Sequence, residues 1–357
     1  MTELTVFAAT LELRDHVAAA DRTHGERTAL FARAVDGDLV GWGESPLVDT
    51  TAADVLDVLA WLPDEHVAAA LCDPRHDDGN ESLRRASEPH AGPAHHAARA
   101  LLSATALDTT LRADGRSFAD ELGVTDTSVG FAGVVGIEDP TRARARAQAL
   151  VTLGASRLRV KVSPAHGTSA LRAVLDAVEV PVVADANGSF DPDDTASLEA
   201  LTSLPIAWLE QPFAVGSLQQ CARLARSGQV RVGLDESVVS LDALRVLAAA
   251  GAASVVCVKP GRLGVLDALA VLHAARDLRL TAYVGGYFEA GLGRAALAPL
   301  AAIGDLDGDV VAPCTYLLAD PCRLDGPRDA RQPLYRGPGL GPAPDPAALE
   351  VRLERAV

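Results

Sequence analysis

The sequence predicts an α/β protein in which a parallel TIM-type barrel of the (β/α)7β form follows a smaller α+β domain. Three observations support this prediction. The chain has 357 residues, a length that suggests two domains. Hydrophobic residues make up 48% of it, so it can bury a large core. From about residue 127 onward, short apolar runs alternate with helical stretches, which is typical of strands joined by helices into a parallel sheet.

The first 115 residues predict the smaller α+β domain. Two strand-like segments come first, and two helical segments follow them. The strand-like segments are residues 3–13 and the hairpin 30–44, which turns at Asp36-Gly37-Asp38; the helical segments are residues 51–72 and 93–113. Polar stretches separate these segments, and we expect the stretch 21–28 to be a loop.

The next part of the chain predicts the barrel, which we place at residues 125–320. Its expected strands are residues 129–135, 157–162, 180–185, 206–210, 230–235, 254–259, 280–285 and, from a weaker pattern, 309–313. Helical patterns fill the intervals between them. The tail 321–357 is rich in Pro, Gly and Arg, and we expect it to run back and complete the domain formed by residues 1–115.

Charge and cysteine content exclude several classes of protein. The formal net charge of −16 argues against nucleic acid and anionic membranes as partners, because both attract basic surfaces. An anionic small molecule stays compatible, since a metal ion or lysines can make one pocket locally positive. Five cysteines without a C-x-x-C pair argue against a disulfide framework or a zinc site and fit a cytoplasmic protein. We expect no signal peptide and no membrane span.

Five charged residues close five consecutive predicted strands. They are Lys161, Asp185, Glu210, Asp235 and Lys259. The intervals between them are 24, 25, 25 and 24 residues, which is the repeat of one strand-helix unit. In barrel enzymes the rim at the carboxyl ends of the strands carries the chemistry, so we expect all five side chains on that rim. A single lysine at a strand end is usually solvated, but five charges in phase favour a site.

The three carboxylates of this set predict a magnesium site. Without a cation they would repel one another, and hard oxygen ligands with room for water suit Mg²⁺, with Mn²⁺ as a substitute. Lys161 and Lys259 would face each other across the barrel mouth. A metal ion can stabilise the enediolate left when a proton is removed beside a carboxylate, and a lysine can serve as the base. Asp185 alone could instead cap a helix.

Ordered motifs resemble the muconate-lactonizing subgroup of the enolase superfamily over nearly the whole chain. The barrel motifs are RVKV (159–162), VADANGSFD (183–191), WLEQP (208–212), GLDES (233–237) and VVCVKPGRLG (255–264), and GWGE (41–44) resembles the capping-domain signature. GGYFEAGLGRAA (285–296) and GPGLG (337–341) resemble the branch that holds o-succinylbenzoate synthases and N-succinylamino acid racemases.

This resemblance implies roles for particular residues. Asp185, Glu210 and Asp235 would bind Mg²⁺, and Lys161 would take the α-proton of a small carboxylate substrate. Lys259 would stabilise the enolate in a synthase or act as the second acid/base in a racemase. Further residues would bind the substrate or support the metal ligands: Arg159, Asn187, Glu236, Gly285, Gly286, Glu289 and, in a lid formed by residues 21–28, Thr23 and His24.

The sequence also departs from the subgroup. The first position of its Lys-x-Lys motif is Arg159, which keeps the charge but cannot act as a base. The position after the Glu of the seventh-strand motif, usually a small residue or Thr, is Ala290, and Tyr287 and Phe288 precede that Glu289. These two aromatic side chains are expected to narrow the pocket and so bear on the substrate. Glu289 fits equally well as a rim salt-bridge residue.

The resemblance favours dehydration by an o-succinylbenzoate synthase, a carbon–oxygen lyase of menaquinone biosynthesis. The alternative is an N-succinylamino acid racemase or another racemase, epimerase or cycloisomerase of the subgroup. Two hypotheses lie outside it. Gly285 and Gly286 could bind phosphate in an isomerase-type barrel, or approach a substrate carboxylate. The chain could also be a catalytically silent scaffold. Ala- and Leu-rich helices favour a homo-oligomer.

Overall fold

Two large sheets organise the chain, an antiparallel one near the N-terminus and a parallel one after it. The computed structural model describes residues 2–18, 23–48, 50–71, 92–323 and 331–357. The strands are β1 (Glu3–Ala18), β2 (Thr23–Asp36), β3 (Leu39–Ser45), β4 (Ser128–Val129), β5 (Ala132–Val135), β6 (Arg157–Lys161), β7 (Val182–Asp185), β8 (Leu209–Glu210), β9 (Val232–Leu234), β10 (Val255–Val258), β11 (Thr281–Val284), β12 (Gln332–Pro333) and β13 (Glu350–Ala356).

The helices lie mostly between these strands. They are α1 (Ala52–Trp61), α2 (Asp64–Leu71), α3 (Pro93–Ala113), α4 (Phe118–Glu121), α5 (Pro140–Thr152), α6 (Ser169–Leu175), α7 (Thr195–Thr202), α8 (Leu218–Ser227), α9 (Leu241–Ala249), α10 (Pro260–Leu263), α11 (Val265–Asp277) and α12 (Gly291–Ala302). In the described part of the chain, none of them combines the length and hydrophobicity that a membrane crossing requires.

The antiparallel sheet has the strand order β13-β1-β2-β3. The predicted turn at Asp36-Gly37-Asp38 joins β2 to β3, and the tail returns as β13 to pair with β1. The loop expected at residues 21–28 is wrong from Thr23 onward, because β2 begins there and pairs with the end of β1. Backbone hydrogen bonds hold this extension, and they do not require apolar side chains. The polar loop expected between the two helical segments lies outside the described residues.

The parallel sheet contains seven strands in sequence order, from β5 to β11, and each of them falls within a segment that the sequence predicts as a strand. The sheet is strongly curled. The guanidinium of Arg157 on β6 lies 4.6 Å from the ring of Trp208, which directly precedes β8, and 4.5 Å from that of Tyr283 on β11. Side chains at the second, fourth and seventh strands meet in this way only if the sheet bends around them.

The expected strand at 309–313 is wrong. No strand forms there, and the neighbouring segment 305–309 bridges the two edges of the sheet instead. Asp305 N donates to Ala282 O of β11 at 2.8 Å, and Gly308 O accepts from Ala132 N of β5 at 2.6 Å. Pro313, which starts a single 3₁₀ turn, has no N–H to donate to a ladder, so a strand could not continue through it.

The motif GWGE packs the antiparallel sheet against α3. A Cβ atom on Gly41 would lie 1.8 Å from Thr109 Oγ1, and one on Gly43 would lie 2.4 Å from Thr105 Oγ1, so only glycine allows this approach. Between these glycines, the backbone N–H of residue 42 donates to the buried Asp108 carboxylate at 2.8 Å. The two glycines therefore set the distance between β3 and the longest helix of the N-terminal part.

Glu44, the last residue of this motif, reaches the start of α12 in the C-terminal part. Its carboxylate accepts the backbone N–H groups of Ala290 and Gly293, both at 2.6 Å. These groups would otherwise lack partners, because the first N–H groups of a helix have none within the helix. Burial raises the pKa of Glu44 to about 8, and the two N–H donors oppose this only in part. Glu44 thus joins the two sheets through a helix N-terminus.

This pKa predicts that Glu44 makes stability fall as the pH rises. The pKa of Glu44 lies near 8 in the folded protein and near 4.5 when the residue is exposed, so between these values the folded state holds a proton that the unfolded chain has released. Glu44→Gln cannot ionise, and we expect its deficit in unfolding free energy relative to wild type to shrink from about pH 5.5 to about pH 8. Urea unfolding at both pH values measures it. A deficit that grows with pH would contradict the prediction.

Candidate active site

The register of the parallel sheet brings the five predicted residues to one end of it. Lys161 pairs with Asp185 across β6 and β7, and Asp185 pairs with Glu210 across β7 and β8. Asp235 and Lys259 directly follow the last residues of β9 and β10. Apart from β6, which also contains Arg157 and Arg159, each strand is a short apolar run that the charged residue ends or directly follows, and parallel strands end at the same edge.

The three carboxylates are buried, and two of them, Asp185 and Asp235, are paired with the lysines. Asp185, Glu210 and Asp235 expose at most 1% of their surface. Lys161 Nζ lies 2.6 Å from Asp185 Oδ2, and Lys259 Nζ lies 2.6 Å from Asp235 Oδ2. The cluster therefore has one amine on each side, and each amine contacts a different outer carboxylate.

Arg159 lies among the same carboxylates. Its guanidinium is 3.0 Å from Glu210 Oε1, 3.6 Å from Asp185 Oδ2 and 3.9 Å from Asp235 Oδ2. Within the described residues, no three His, Cys, Asp or Glu side chains lie together in a way that could hold a metal ion. Arg159 supplies the positive charge that the cluster requires in this arrangement.

The donor set nevertheless fits Mg²⁺. It consists of three hard oxygen ligands, and burial, followed by the charges of Asp185 and Asp235, raises the pKa of Glu210 although Arg159 opposes this rise. A bound cation would oppose it further. Two buried oxygens beside it, Asn187 Oδ1 and Glu236 Oε2, accept no hydrogen bond from the described residues. They remain available to the water molecules that Mg²⁺ usually retains.

Asn187 and Glu236 form a second layer behind the carboxylates. Asn187 Nδ2 donates to Glu236 Oε1 at 2.9 Å, and Asn187 N donates to Asp185 Oδ1 at 3.1 Å. Asn187 has a φ of 44°, a conformation that asparagine adopts more easily than most residues. Burial, followed by the charges of Asp235 and Asp185, raises the pKa of Glu236 to about 7.

The motif WLEQP contains a positioning residue, Gln211, to which the sequence analysis assigned no role. Gln211 is fully buried, and its Oε1 accepts the N–H groups of Asp235 at 3.2 Å and Ser237 at 3.1 Å. Its amide donates to Ser237 Oγ at 2.9 Å. Gln211 follows Glu210 directly, so one strand end supports the next. The sequence signal that could have identified Gln211 is its polar side chain directly after the predicted metal ligand Glu210.

Arg262 is a second residue that the sequence left without a role. Its Nη1 donates to Asp235 O at 3.0 Å and to Asp235 Oδ1 at 3.2 Å, and its Nη2 donates to the phenol of Tyr287. It lies three residues after Lys259, so the turn of α10 places it beside the same carboxylate. A buried cation could not be recognised from its spacing alone.

Asp309 is a fourth carboxylate at the cluster. Its Oδ2 lies 2.7 Å from Arg159 Nη2, and its Oδ1 accepts Gly286 N at 3.2 Å. Although burial alone would raise it, the charges of Arg159, Lys259 and Arg294 hold the pKa of Asp309 below its ordinary value. The sequence predicted a strand over residues 309–313, and this prediction gave no reason to assign Asp309 to the site.

The glycine pair after β11 leaves room for neighbouring cations. A Cβ atom on Gly285 would lie 3.0 Å from Lys259 Cε, and one on Gly286 would lie 2.7 Å from Arg294 Nη1. The space that a larger side chain would need is therefore taken by protein groups. The phosphate hypothesis for this pair gains no support, because both N–H groups are already donated, that of Gly285 to Val258 O at 3.0 Å and that of Gly286 to Asp309 Oδ1 at 3.2 Å.

Two other groups of predicted substrate contacts have different outcomes. Glu289 is 1% exposed, and its carboxylate lies 2.7 Å from Arg294 Nη2. It therefore forms an ion pair inside the protein and does not lie on the exposed rim. Thr23 and His24 begin β2, and their side chains lie outside the described part of the chain. Further along the same strand, Arg27 and Thr28 border the cavity of the site.

A cavity of about 1120 Å³ opens onto the cluster between the two parts of the chain. Both candidate bases border it, as do residues of both sheets. Its lining includes Arg27, Leu47, Lys161, Lys259, Tyr287 and Phe288. A small organic acid could therefore reach both lysines from the same space.

Lys161 and Lys259 are the only two lysines in the sequence. All other members of its 32 Lys and Arg residues are arginines. The chain thus uses arginine wherever it carries a cation, except at two strand ends that face each other across one cluster. This composition is a sequence signal that points to the same two residues as the spacing does.

Comparison with known proteins identifies the family. The model described as "Enolase C-terminal domain-like" matches residues 142–348, which is more than half of the chain. An N-succinylamino acid racemase from Amycolatopsis is 32% identical over 354 residues, covering 92% of this chain and 90% of the relative. An o-succinylbenzoate synthase from Geobacillus stearothermophilus is 28% identical, covering 86% and 83%.

A solved structure supports the fold. A dipeptide epimerase from Enterococcus faecalis V583, complexed with Mg and the dipeptide L-Leu-L-Tyr, superposes with a TM-score of 0.80 at 20% identity. The superposition covers 95% of this chain and 98% of the epimerase. At this identity the likeness concerns the fold.

The contacts of Arg159 predict that Asp309 assists metal binding. Mg²⁺ can bind the three carboxylates only if the guanidinium withdraws from them, and Asp309 is its remaining partner. We expect Asp309→Asn to weaken Mg²⁺ binding about tenfold by calorimetry, within the coupling expected for neighbouring charges.

The control for this prediction is a double-mutant cycle with Arg159→Met. If Asp309 acts by retaining Arg159, the effect of Asp309→Asn should largely disappear in the Arg159→Met background. An equal loss of affinity in both backgrounds would mean that Asp309 acts through its own charge.

Proposed function

This chain belongs to the enolase superfamily, and on that premise we propose that it removes the α-proton of a small carboxylate substrate, with Lys161 and Lys259 as acid/base groups on opposite sides. One observation carries the proposal. The chain's only two lysines each lie 2.6 Å from an oxygen of a candidate metal ligand, at Asp185 and at Asp235. Both border one cavity.

The identity of these residues supports proton transfer. Arginine keeps its proton at any physiological pH, whereas a lysine amine can lose its proton and act as a base. The sequence has arginine at position 159, where a positive charge suffices, and lysine at 161 and 259. An amine at both positions is what a reaction with a base on each side of the substrate requires.

Asp185, Glu210 and Asp235 would hold Mg²⁺, which when bound would stabilise the negative charge developing on the substrate carboxylate. Lys161 Nζ then accepts the α-proton from one side of the substrate. In a racemisation, Lys259 Nζ returns a proton to the same carbon from the other side. Asn187 N keeps the Asp185 carboxylate in place, and Gln211 fixes the backbone at Asp235 by accepting its N–H.

Racemisation or epimerisation of an N-acylated amino acid is the first candidate reaction. The paired lysines favour it, and the relative from Amycolatopsis, which the chain matches over 92% of its length, is named an N-succinylamino acid racemase. The proton removed by one lysine and the proton delivered by the other balance, so no further reactant is needed.

Dehydration to o-succinylbenzoate, which the motifs favour, is the second candidate. Relatives named o-succinylbenzoate synthase support it, including that from Geobacillus stearothermophilus. In this reaction Lys161 would remove the α-proton and then give it to the departing hydroxyl group, which leaves as water, and Lys259 would contribute only its charge. The two reactions therefore differ in what they require of Lys259.

The architecture is part of the same proposal. We infer that the curled sheet is the (β/α)7β barrel of the superfamily and that residues 1–115 and the tail 321–357 form its capping domain. The bridge formed by segment 305–309 between β11 and β5 supports the first inference. Pairing of β13 with β1 supports the second.

Isotope exchange should separate the two lysines. With Mg²⁺ and an N-succinylamino acid in D₂O, we expect wild type to exchange the α-proton of both enantiomers, measured by proton NMR. Lys161→Arg should slow exchange from one enantiomer by about 100-fold or more, and Lys259→Arg from the other, because each keeps the charge and removes a base.

Arg245→Lys on the exposed face of α9 is the matched control, since it makes a conservative exchange away from the site. Its exchange rates should equal those of wild type. Loss of exchange from the same enantiomer in both lysine variants would contradict a base on each side. Absence of exchange in wild type would contradict racemisation.

The dehydration candidate gives a different result with the same variants. If the protein forms o-succinylbenzoate from its cyclohexadiene precursor, absorbance should show that Lys161→Arg abolishes turnover, while Lys259→Arg keeps a measurable fraction because arginine retains the charge. Equal loss in the two variants would contradict a purely electrostatic role of Lys259.

A further inference from the structure

Tyr287, one of the two aromatic residues that precede Glu289, lies three residues after β11 and against three cations. Lys259 Nζ lies 4.2 Å from the centre of its ring. The guanidinium carbons of Arg262 and Arg27 lie 5.7 Å and 5.8 Å from the same centre. A cation within about 6 Å of a ring face is attracted by it. The closest of the three is the candidate acid/base of one side.

The ring is held in place from several directions. Arg262 donates to the phenol, and Arg27 Nε donates to the backbone carbonyl of Tyr287 at 3.4 Å. Glu289 Oε1 accepts the N–H of Tyr287 at 2.7 Å, and Glu289 is itself fixed by its ion pair with Arg294. A ring with both its phenol and its backbone bound is a rigid surface for the amine of Lys259.

Lys259 and Lys161 each form an ion pair with a candidate metal ligand, Asp235 and Asp185, whose oxygens a bound cation would attract. Only Lys259 has a second contact of this kind, because among the described residues no aromatic ring lies over Lys161. The ring is not a candidate metal ligand, so we expect its contact with Lys259 to persist when a cation binds. The two sides of the site are thus built differently.

We propose that Tyr287 is the positioning residue of Lys259, holding its amine at the cavity through the ring face while Arg262 fixes the phenol. This inference rests on the proposed function of Lys259 as an acid/base group. Tyr287 should therefore affect only the proton transfer carried out by Lys259. Chemistry that depends on Lys161 should not respond to the ring.

The two-lysine composition allows a direct structural test. In protein labelled with ¹³C-lysine, only two side chains give signals, and Lys161→Arg and Lys259→Arg assign them. The ring should shift the Hε signal of Lys259 upfield, both without metal and with Mg²⁺. Tyr287→Leu should remove this shift, Tyr287→Phe should keep it, and the Lys161 signal should not move.

The kinetic test uses α-proton exchange from each enantiomer. In Tyr287→Leu we expect exchange from the enantiomer that depends on Lys259 to fall about tenfold, the scale of a desolvated cation–π contact, and exchange from the other to stay within about twofold. Tyr287→Phe should restore most of the rate because it retains the ring. Tyr287→Met, with a flexible chain of similar length, replaces the leucine variant if that variant does not fold.

Two outcomes would overturn the inference. Equal slowing of both enantiomers would show that Tyr287 supports the pocket in general, and a Lys259 signal that is the same in wild type and Tyr287→Leu would show that the ring does not contact the amine. Absence of exchange in wild type would count against the proposed function instead, and the NMR measurement would still decide the contact between Tyr287 and Lys259.

Discussion

Repulsion among Asp185, Glu210 and Asp235 is the constraint on which the rest of the site depends. Three carboxylates with almost no exposed surface cannot ionise together unless cations lie among them. The protein supplies Arg159 between them and one lysine at each outer carboxylate. The arrangement that makes the chemistry possible is therefore also the one that keeps the buried acids compatible with folding.

A metal ion bound by the three carboxylates would replace protein cations that contact them in this structure. Arg159 contacts all three carboxylates and, at 2.7 Å, also Asp309, so it has a partner outside the ligand set. The chain carries arginine where the subgroup carries lysine, and the fork of a guanidinium can bind two acidic groups at once. The fourth carboxylate thus accounts physically for an arginine at this position.

The sequence could predict the five central residues because the strand-helix repeat converts regular spacing into adjacency, as the pairing of Lys161, Asp185 and Glu210 shows. It could not assign Asp309 or Arg262, because their roles depend on side-chain directions set by an irregular segment and a short helix. The expected strand at 309–313 did not form, and a 3₁₀ turn begins at Pro313; the expected loop at 21–28 was wrong from Thr23 onward because β2 starts there and pairs with the end of β1 as a hairpin. The spacing of residues in the sequence therefore predicts which strand ends carry the charged residues better than it predicts which side chains contact one another.

The contact of Glu44 with α12 links the N-terminal part to the chemistry through Tyr287. Glu44 binds the N–H of Ala290, the residue after Glu289, and Glu289 binds the N–H of Tyr287. The segment that carries the ring is therefore anchored at one end by the opposite half of the chain, and Arg27 of β2 contacts the same tyrosine. An N-terminal part that contributed only a lid over the cavity would not need these buried bonds. Their presence argues that this part of the chain also sets the position of Lys259.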